Sequence, residues 1–218
     1  MAANGPARRM GRPPLEDVGE GERRAQILQA AGRLFAQRGY AAVSVGEIAA
    51  EVGVTKAALY HHFPGKDELF TESICATLTA IASAIRRVVE LPISTRRQIA
   101  LLSRIAIMEV QADADMDSMM RDVAEHLTTS QQERVGAAHR SMEDAYTALM
   151  QVGIARGELR AYEPRLLAHA YQHLLAAFAG RVGGEAGYQG RLETVDTVVE
   201  LFMHGAGSAG KAPDSAPA

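Results

Sequence analysis

Thr55, Lys56, Ala57, Tyr60 and His61 are of types that suit contact with a nucleic-acid duplex, and all lie between two helix-breaking sites, Gly53 and Pro64-Gly65. On a helix the spacing 56, 57, 60, 61 is one face. A threonine at a helix start can bind a phosphate oxygen. Lys56 can reach a phosphate or a guanine edge, and Ala57 a thymine methyl. Tyr60 and His61 can hydrogen-bond phosphates. Lys66, at the start of the following helix, adds a cation where the helix dipole already favours an anion. Ser44, opening the helix before, is counted with this surface.

Other residues suggest other chemistry. His169 and His173 are four apart, so they share a helix face, and that spacing can bind a transition metal. His126 and His139 could approach from neighbouring helices. No cysteine or acidic pair completes a ligand set, so core or interface histidines are the expected role. No metal or cofactor is expected. Cys75 is the single cysteine, so no disulfide forms within the chain, and a thiol switch would need an activated, accessible thiolate. Met108, Gln111, His139, Met142, Tyr146 and Tyr171 are candidates to reach a small-molecule pocket among the middle helices. The remaining methionines (116, 119, 120, 150) fit ordinary core packing. No Ser-His-Asp elbow, phosphate loop or dinucleotide glycine fingerprint occurs, so an enzyme is not expected.

The elements that position these residues are helical. The 218 residues are 47% hydrophobic and 22% charged, with no tryptophan, and few segments alternate as strands do. Ile27, Ala30, Ala31, Leu34 and Phe35 mark a helix over 21–38, with Gly39 suited to a left-handed cap. Ser44-Val45-Gly46-Glu47 is a capping-box sequence. It opens a helix running to Val52, and Gly53 permits a tight turn. Thr55 caps a short helix over 56–62. Ile48, Ala49, Val52, Val54, Ala58 and Leu59 face inward, leaving the second helix's outer face free to enter a major groove. Longer helices follow at 66–88, 95–111, 115–127, 130–156, 164–183 and 190–205, punctuated by Pro92, Gly157, Pro164 and Gly183-Gly184. No apolar stretch is expected to span a bilayer. No signal sequence is evident, and a cytoplasmic protein without a membrane partner is expected.

The net charge of -3 argues mildly against a nucleic-acid partner, and its distribution changes little. Residues 1–90 hold 11 Lys/Arg against 10 Asp/Glu. On these residues alone, an ordinary helical hairpin remains an alternative for 45–62.

The run from Ser44-Val45-Gly46-Glu47-Ile48-Ala49 through Thr55-Lys56-Ala57-Ala58-Leu59-Tyr60-His61-His62-Phe63-Pro64-Gly65-Lys66-Asp67-Glu68-Leu69 resembles the DNA-binding signature of the TetR family. The stretch from Ile27 to Tyr40 resembles that family's first helix. The resemblance covers about 25–70. It implies a homodimer on a palindromic operator in double-stranded DNA, and a variable C-terminal domain that senses a small-molecule effector. Beyond 70 only Gly157-Glu158-Leu159-Arg160 carries a trace of it.

The expected architecture is therefore all-α. A flexible basic arm (1–20, with Arg8, Arg9 and Arg12) precedes a three-helix helix-turn-helix domain (21–65). A helical ligand-binding and dimerisation domain (66–205) and a disordered tail (206–218) follow. Leu174, Ala177, Phe178, Val198 and Phe202, on the last two helices, are the expected dimer contacts. The expected function is a ligand-responsive transcriptional regulator, a repressor released from its operator by an apolar or amphipathic molecule. The rival is a helical ligand-binding or scaffold protein whose helix-turn-helix no longer reads DNA.

Overall fold

The computed structural model describes residues 19–109, 116–182 and 188–207. Nine helices form there: α1 Glu20–Ala42, α2 Val45–Val52, α3 Lys56–His62, α4 Lys66–Val89, α5 Thr95–Glu109, α6 Met116–His126, α7 Thr129–Ala155, α8 Pro164–Val182 and α9 Tyr188–Ala206. No strand forms among the described residues.

α4 organises the molecule. Leu69, Phe70, Ile74, Leu78, Ala82, Ile85 and Val88 recur every three or four residues and are all buried, which gives one wide apolar stripe. The stripe packs on α1 at one end and along α7. By length and composition α4 could cross a membrane, contrary to the expectation that no stretch reaches that length. Its burial explains the apolarity as that of a core helix. α8 packs on α7, and α9 closes over α5 and α8. The buried residues form one continuous cluster from Ile27 to Ala206, so the expected division at 65/66 does not separate two cores.

Polar groups hold the α4–α5 corner. The Gln98 side chain is fully buried. Its Nε2 lies 3.1 Å from the carbonyls of Val88 and Val89 and 3.2 Å from that of Leu91. It therefore adds a side-chain donor to carbonyls around the end of α4, two of which, those of Val88 and Leu91, also accept the Leu91 and Ile93 amides. At the other end of the fold, Ala206 is buried in α9 and accepts a hydrogen bond from the Arg160 amide at 2.8 Å. Position 206 thus belongs to the folded body, one correction to the expected tail. The basic arm's Arg8, Arg9 and Arg12, and positions 208–218, lie outside the described residues.

Candidate nucleic-acid interface

Local rules build the helix-turn-helix. Ser44 Oγ accepts the Glu47 amide at 3.2 Å, while the Ser44 amide donates to Glu47 Oε2 at 2.8 Å. This reciprocal cap fixes the start of α2. Gly53 ends it at φ 72, ψ 28, the left-handed conformation that a side chain disfavours. The Val54 amide then donates back to the Ala49 carbonyl at 2.9 Å, as in a Schellman-type close. Thr55 Oγ1 accepts the Ala58 amide at 3.1 Å and starts α3. Beneath lie Ile27, Ala31, Phe35, Ile48, Ala49, Leu59 and Phe63, all buried.

Holding Leu59 inward turns the opposite side of α3 outward. Thr55, Lys56, Ala57, Tyr60 and His61 are all exposed, Tyr60 to 45% despite its size. Ser44 is also exposed. Lys56 Nζ lies 5.8 Å from the Tyr60 ring centroid. Lys56 has no carboxylate partner among the described residues, whereas Arg33 pairs with Glu51 at 2.6 Å and Arg38 with Glu47 at 2.8 Å. Arg24 pairs with Glu72. Those pairs explain why the net charge near the unit is small although the outer face of α3 is not acidic. Lys66 stands apart from the α3 cluster, half-buried, with Nζ 4.1 Å from the Tyr40 ring centroid.

The Glu47 carboxyl, though exposed, is lowered from its ordinary 4.5 to about 2. The Ser44 hydroxyl is the main cause, followed by the Ser44 amide and then Arg38. Each of these contacts favours the ionised form.

The candidate effector residues are placed in different surroundings. Met142, Tyr146 and Tyr171 are buried in the core, the two tyrosine rings 5.9 Å apart. Tyr171 is committed internally: Ser103 Oγ is 2.9 Å from its hydroxyl, which donates to the Ile99 carbonyl at 3.2 Å. The Tyr146 hydroxyl has no such bond among the described residues, and burial pushes it up to about 12. His139 leaves that group. Its Nδ1 lies 3.7 Å from Glu143 Oε1, the same oxygen that His169 Nε2 approaches at 3.5 Å. His173 meets His169 edge-on at 6.5 Å. Among the described residues no three His, Cys, Asp or Glu side chains are placed to hold a metal ion. The Met108 side chain and Gln111 lie outside the described residues. An open groove of about 390 Å³ runs instead between α5 and α9, past Leu101, Arg104, Leu192 and Asp196. It was not anticipated, because its walls join helices 90 residues apart in sequence and mix apolar with charged groups.

Cys75 is half-buried, and burial raises its thiol above the ordinary value. That is the opposite of an activated thiolate. Of the expected dimer contacts, Ala177 is exposed and Leu174 and Phe178 are half-buried. Val198 (0% exposed) and Phe202 (6%) are not at a free surface. The Phe202 ring packs 5.3 Å from Tyr171. These two are corrected to residues of the protomer's own core.

A capped helix-turn-helix with an exposed second helix, joined to an all-helical body, defines the class of one-component DNA-binding regulators. Residues 27–72 match the family model for bacterial regulatory proteins of the tetR family. The HTH-type transcriptional repressor KstR2 of Rhodococcus jostii (strain RHA1) is 25% identical over 196 residues, 88% of this chain and 93% of that protein. The HTH-type transcriptional regulator AcrR of Shigella flexneri is 51% identical over 51 residues, 23% of this chain and 24% of that protein. The solved structure of AibR in complex with isovaleryl coenzyme A and operator DNA superposes with a TM-score of 0.62 at 23% identity, covering 83% of this chain and 97% of that one. The resemblance to the tetR family lies in residues 27–72, the helix-turn-helix unit and the first turns of α4.

Proposed function

We propose that the protein is a homodimeric repressor that leaves a palindromic operator when its helical body takes up a small apolar or amphipathic molecule. The exposed row Thr55, Lys56, Ala57, Tyr60 and His61 on α3 carries the DNA-binding part of this reading. α3 enters the major groove, Lys56 and Ala57 meet base edges, and Tyr60, His61, Ser44 and Lys66 meet phosphates. Two such helices in a dimer would stand about 34–36 Å apart, one turn of DNA. An apolar or amphipathic effector is supported by the placement of Met142, Tyr146 and Tyr171 within the apolar core. AibR was solved with isovaleryl coenzyme A, whose short apolar acyl chain, though not its polyanionic nucleotide carrier, is of the kind such surroundings would take. An effector acts only through its preference for the state that releases DNA.

The test is selection of genomic fragments bound by the purified protein, followed by footprinting. A protected palindrome is expected. Filter binding at two salt concentrations separates this reading from a scaffold whose helix-turn-helix is silent: salt-sensitive retention supports DNA binding, and no retention at either salt overturns it. Effector candidates are then titrated against the complex, and linkage requires that an inducer bind the free dimer more tightly than the operator-bound dimer.

A further inference from the structure

Tyr40, near the end of α1, gathers contacts from α4 and α6. Just before it, Gly39 has φ 76 and ψ 163, a backbone region that essentially only glycine occupies. This is not the left-handed helical cap expected there. The conformation turns the Tyr40 amide toward α6, where it donates to Asp122 Oδ2 at 2.8 Å. One turn on, the His126 ring stacks on the Tyr40 ring, centroids 4.6 Å apart and planes 26° from parallel. The Tyr40 hydroxyl donates to Asp67, and the Phe70 ring lies 4.9 Å away. Lys66 Nζ sits over the same ring at 4.1 Å, well within cation–π range.

We infer that Asp122 and His126 of α6 are positioning residues for DNA binding: they seat the Tyr40 ring, and the ring seats the Lys66 ammonium. The inference rests on the proposed role of Lys66 as a phosphate contact. A lysine carries many rotamers, and ordering it at the moment of binding costs free energy. A ring that already holds the ammonium reduces that cost. The ring is held in turn by α6, which lies outside the helix-turn-helix. Nothing on α2 or α3 need touch Lys66 for the body of the protein to govern it.

The salt dependence of binding counts phosphate contacts, so it reads Lys66 directly. The probe is a random-sequence 30-base-pair duplex, with anisotropy measured from 50 to 200 mM KCl on the full chain. Lys66→Ala should lower the slope of log affinity against log salt by about one. His126→Ala should lower it by a measurable part of that, and His126→Phe, which keeps a stacking ring, should restore it. Asp122→Ala and Asp122→Asn remove the same negative charge, which by simple electrostatics would tighten binding. Only the alanine removes the acceptor for the Tyr40 amide, so the alanine should lose slope and the asparagine should not. Lys66→Ala with His126→Ala should fall no further than Lys66→Ala alone. Should Asp122→Ala unfold by circular dichroism, His126→Ala decides alone, since its side chain is half-exposed. A native slope in folded His126→Ala, or full additivity with Lys66→Ala, overturns the inference and leaves the DNA-binding reading intact. No salt-dependent binding by the native chain overturns both.

Discussion

The two buried tyrosines show how a single hydroxyl decides between structure and availability. Tyr171 and Tyr146 lie with their rings 5.9 Å apart, yet only Tyr171 has its hydroxyl engaged, by Ser103 and the Ile99 carbonyl. Tyr171→Phe would leave the buried Ser103 hydroxyl without its partner and should cost about 1–3 kcal/mol. Tyr146→Phe removes a hydroxyl that bonds to nothing described, and should change stability by less than about 0.5 kcal/mol. Urea unfolding of the two variants checks this, and equal losses would show that Tyr146 is also a structural hydrogen-bonding group. If the contrast holds, Tyr146→Phe is the variant in which an effector contact can be examined without damage to the fold. Sequence alone could not rank the two, because both are tyrosines on the apolar stripes of neighbouring helices. What separates them is Ser103, 68 residues from Tyr171 in the chain.

Among elements, α2 and α4 are held by different end groups, and each makes a prediction. Glu47 is ionised more readily in the folded protein than in the unfolded chain, so the folded state favours its charged form. Its contribution is present above about pH 4.5 and is lost as pH falls toward 2. The melting temperature of native protein should therefore exceed that of Glu47→Gln near pH 6. The gap should narrow below pH 4.5, and a gap independent of pH would refute the cap. At the end of α4, Gln98→Ala withdraws a buried donor from the Val88, Val89 and Leu91 carbonyls and should destabilise by about 1–3 kcal/mol in denaturant unfolding. The capping box was legible because Ser44-x-x-Glu47 is a local code, and the helix ends followed from Gly53, Pro64 and Pro164 for the same reason. Gln98 was not legible: a glutamine inside a helical pattern reads as surface until the neighbouring helix end is in place. The Tyr40–Asp122 bond joins residues 82 apart, and no periodicity announces it. At Gly39 the sequence pointed to a left-handed cap and the structure shows the extended positive-φ conformation instead, since a glycine leaves both open.

At the scale of the whole molecule, the remaining question is which surface of the last two helices meets a second copy. α8 and α9 carry apolar residues on more than one side, and sequence periodicity cannot say which stripe faces the protomer's own core. The structure divides them. Val195, Val198, Val199 and Phe202 are buried. Leu166 and Leu201 stand 64% and 52% exposed, and Ala170 and Ala177 are exposed on α8. Large apolar groups left in water on two helices that pack together fit the proposed dimer face. Small exposed alanines on α8 would allow the helices of two copies to approach closely. Ala177→Asp then places a charge at that face but not in the protomer core. It should yield a folded monomer with native helix content and weakened binding to any palindromic operator, since both half-sites must be held at once. Val198→Asp is a different kind of change. It puts a carboxylate where nothing can pair with it, so it should cost several kcal/mol and unfold the protomer itself. Light scattering with circular dichroism distinguishes the two outcomes. A dimeric Ala177→Asp would move the interface away from α8, and a folded, monomeric Val198→Asp would mean that α9 presents its other stripe to the partner.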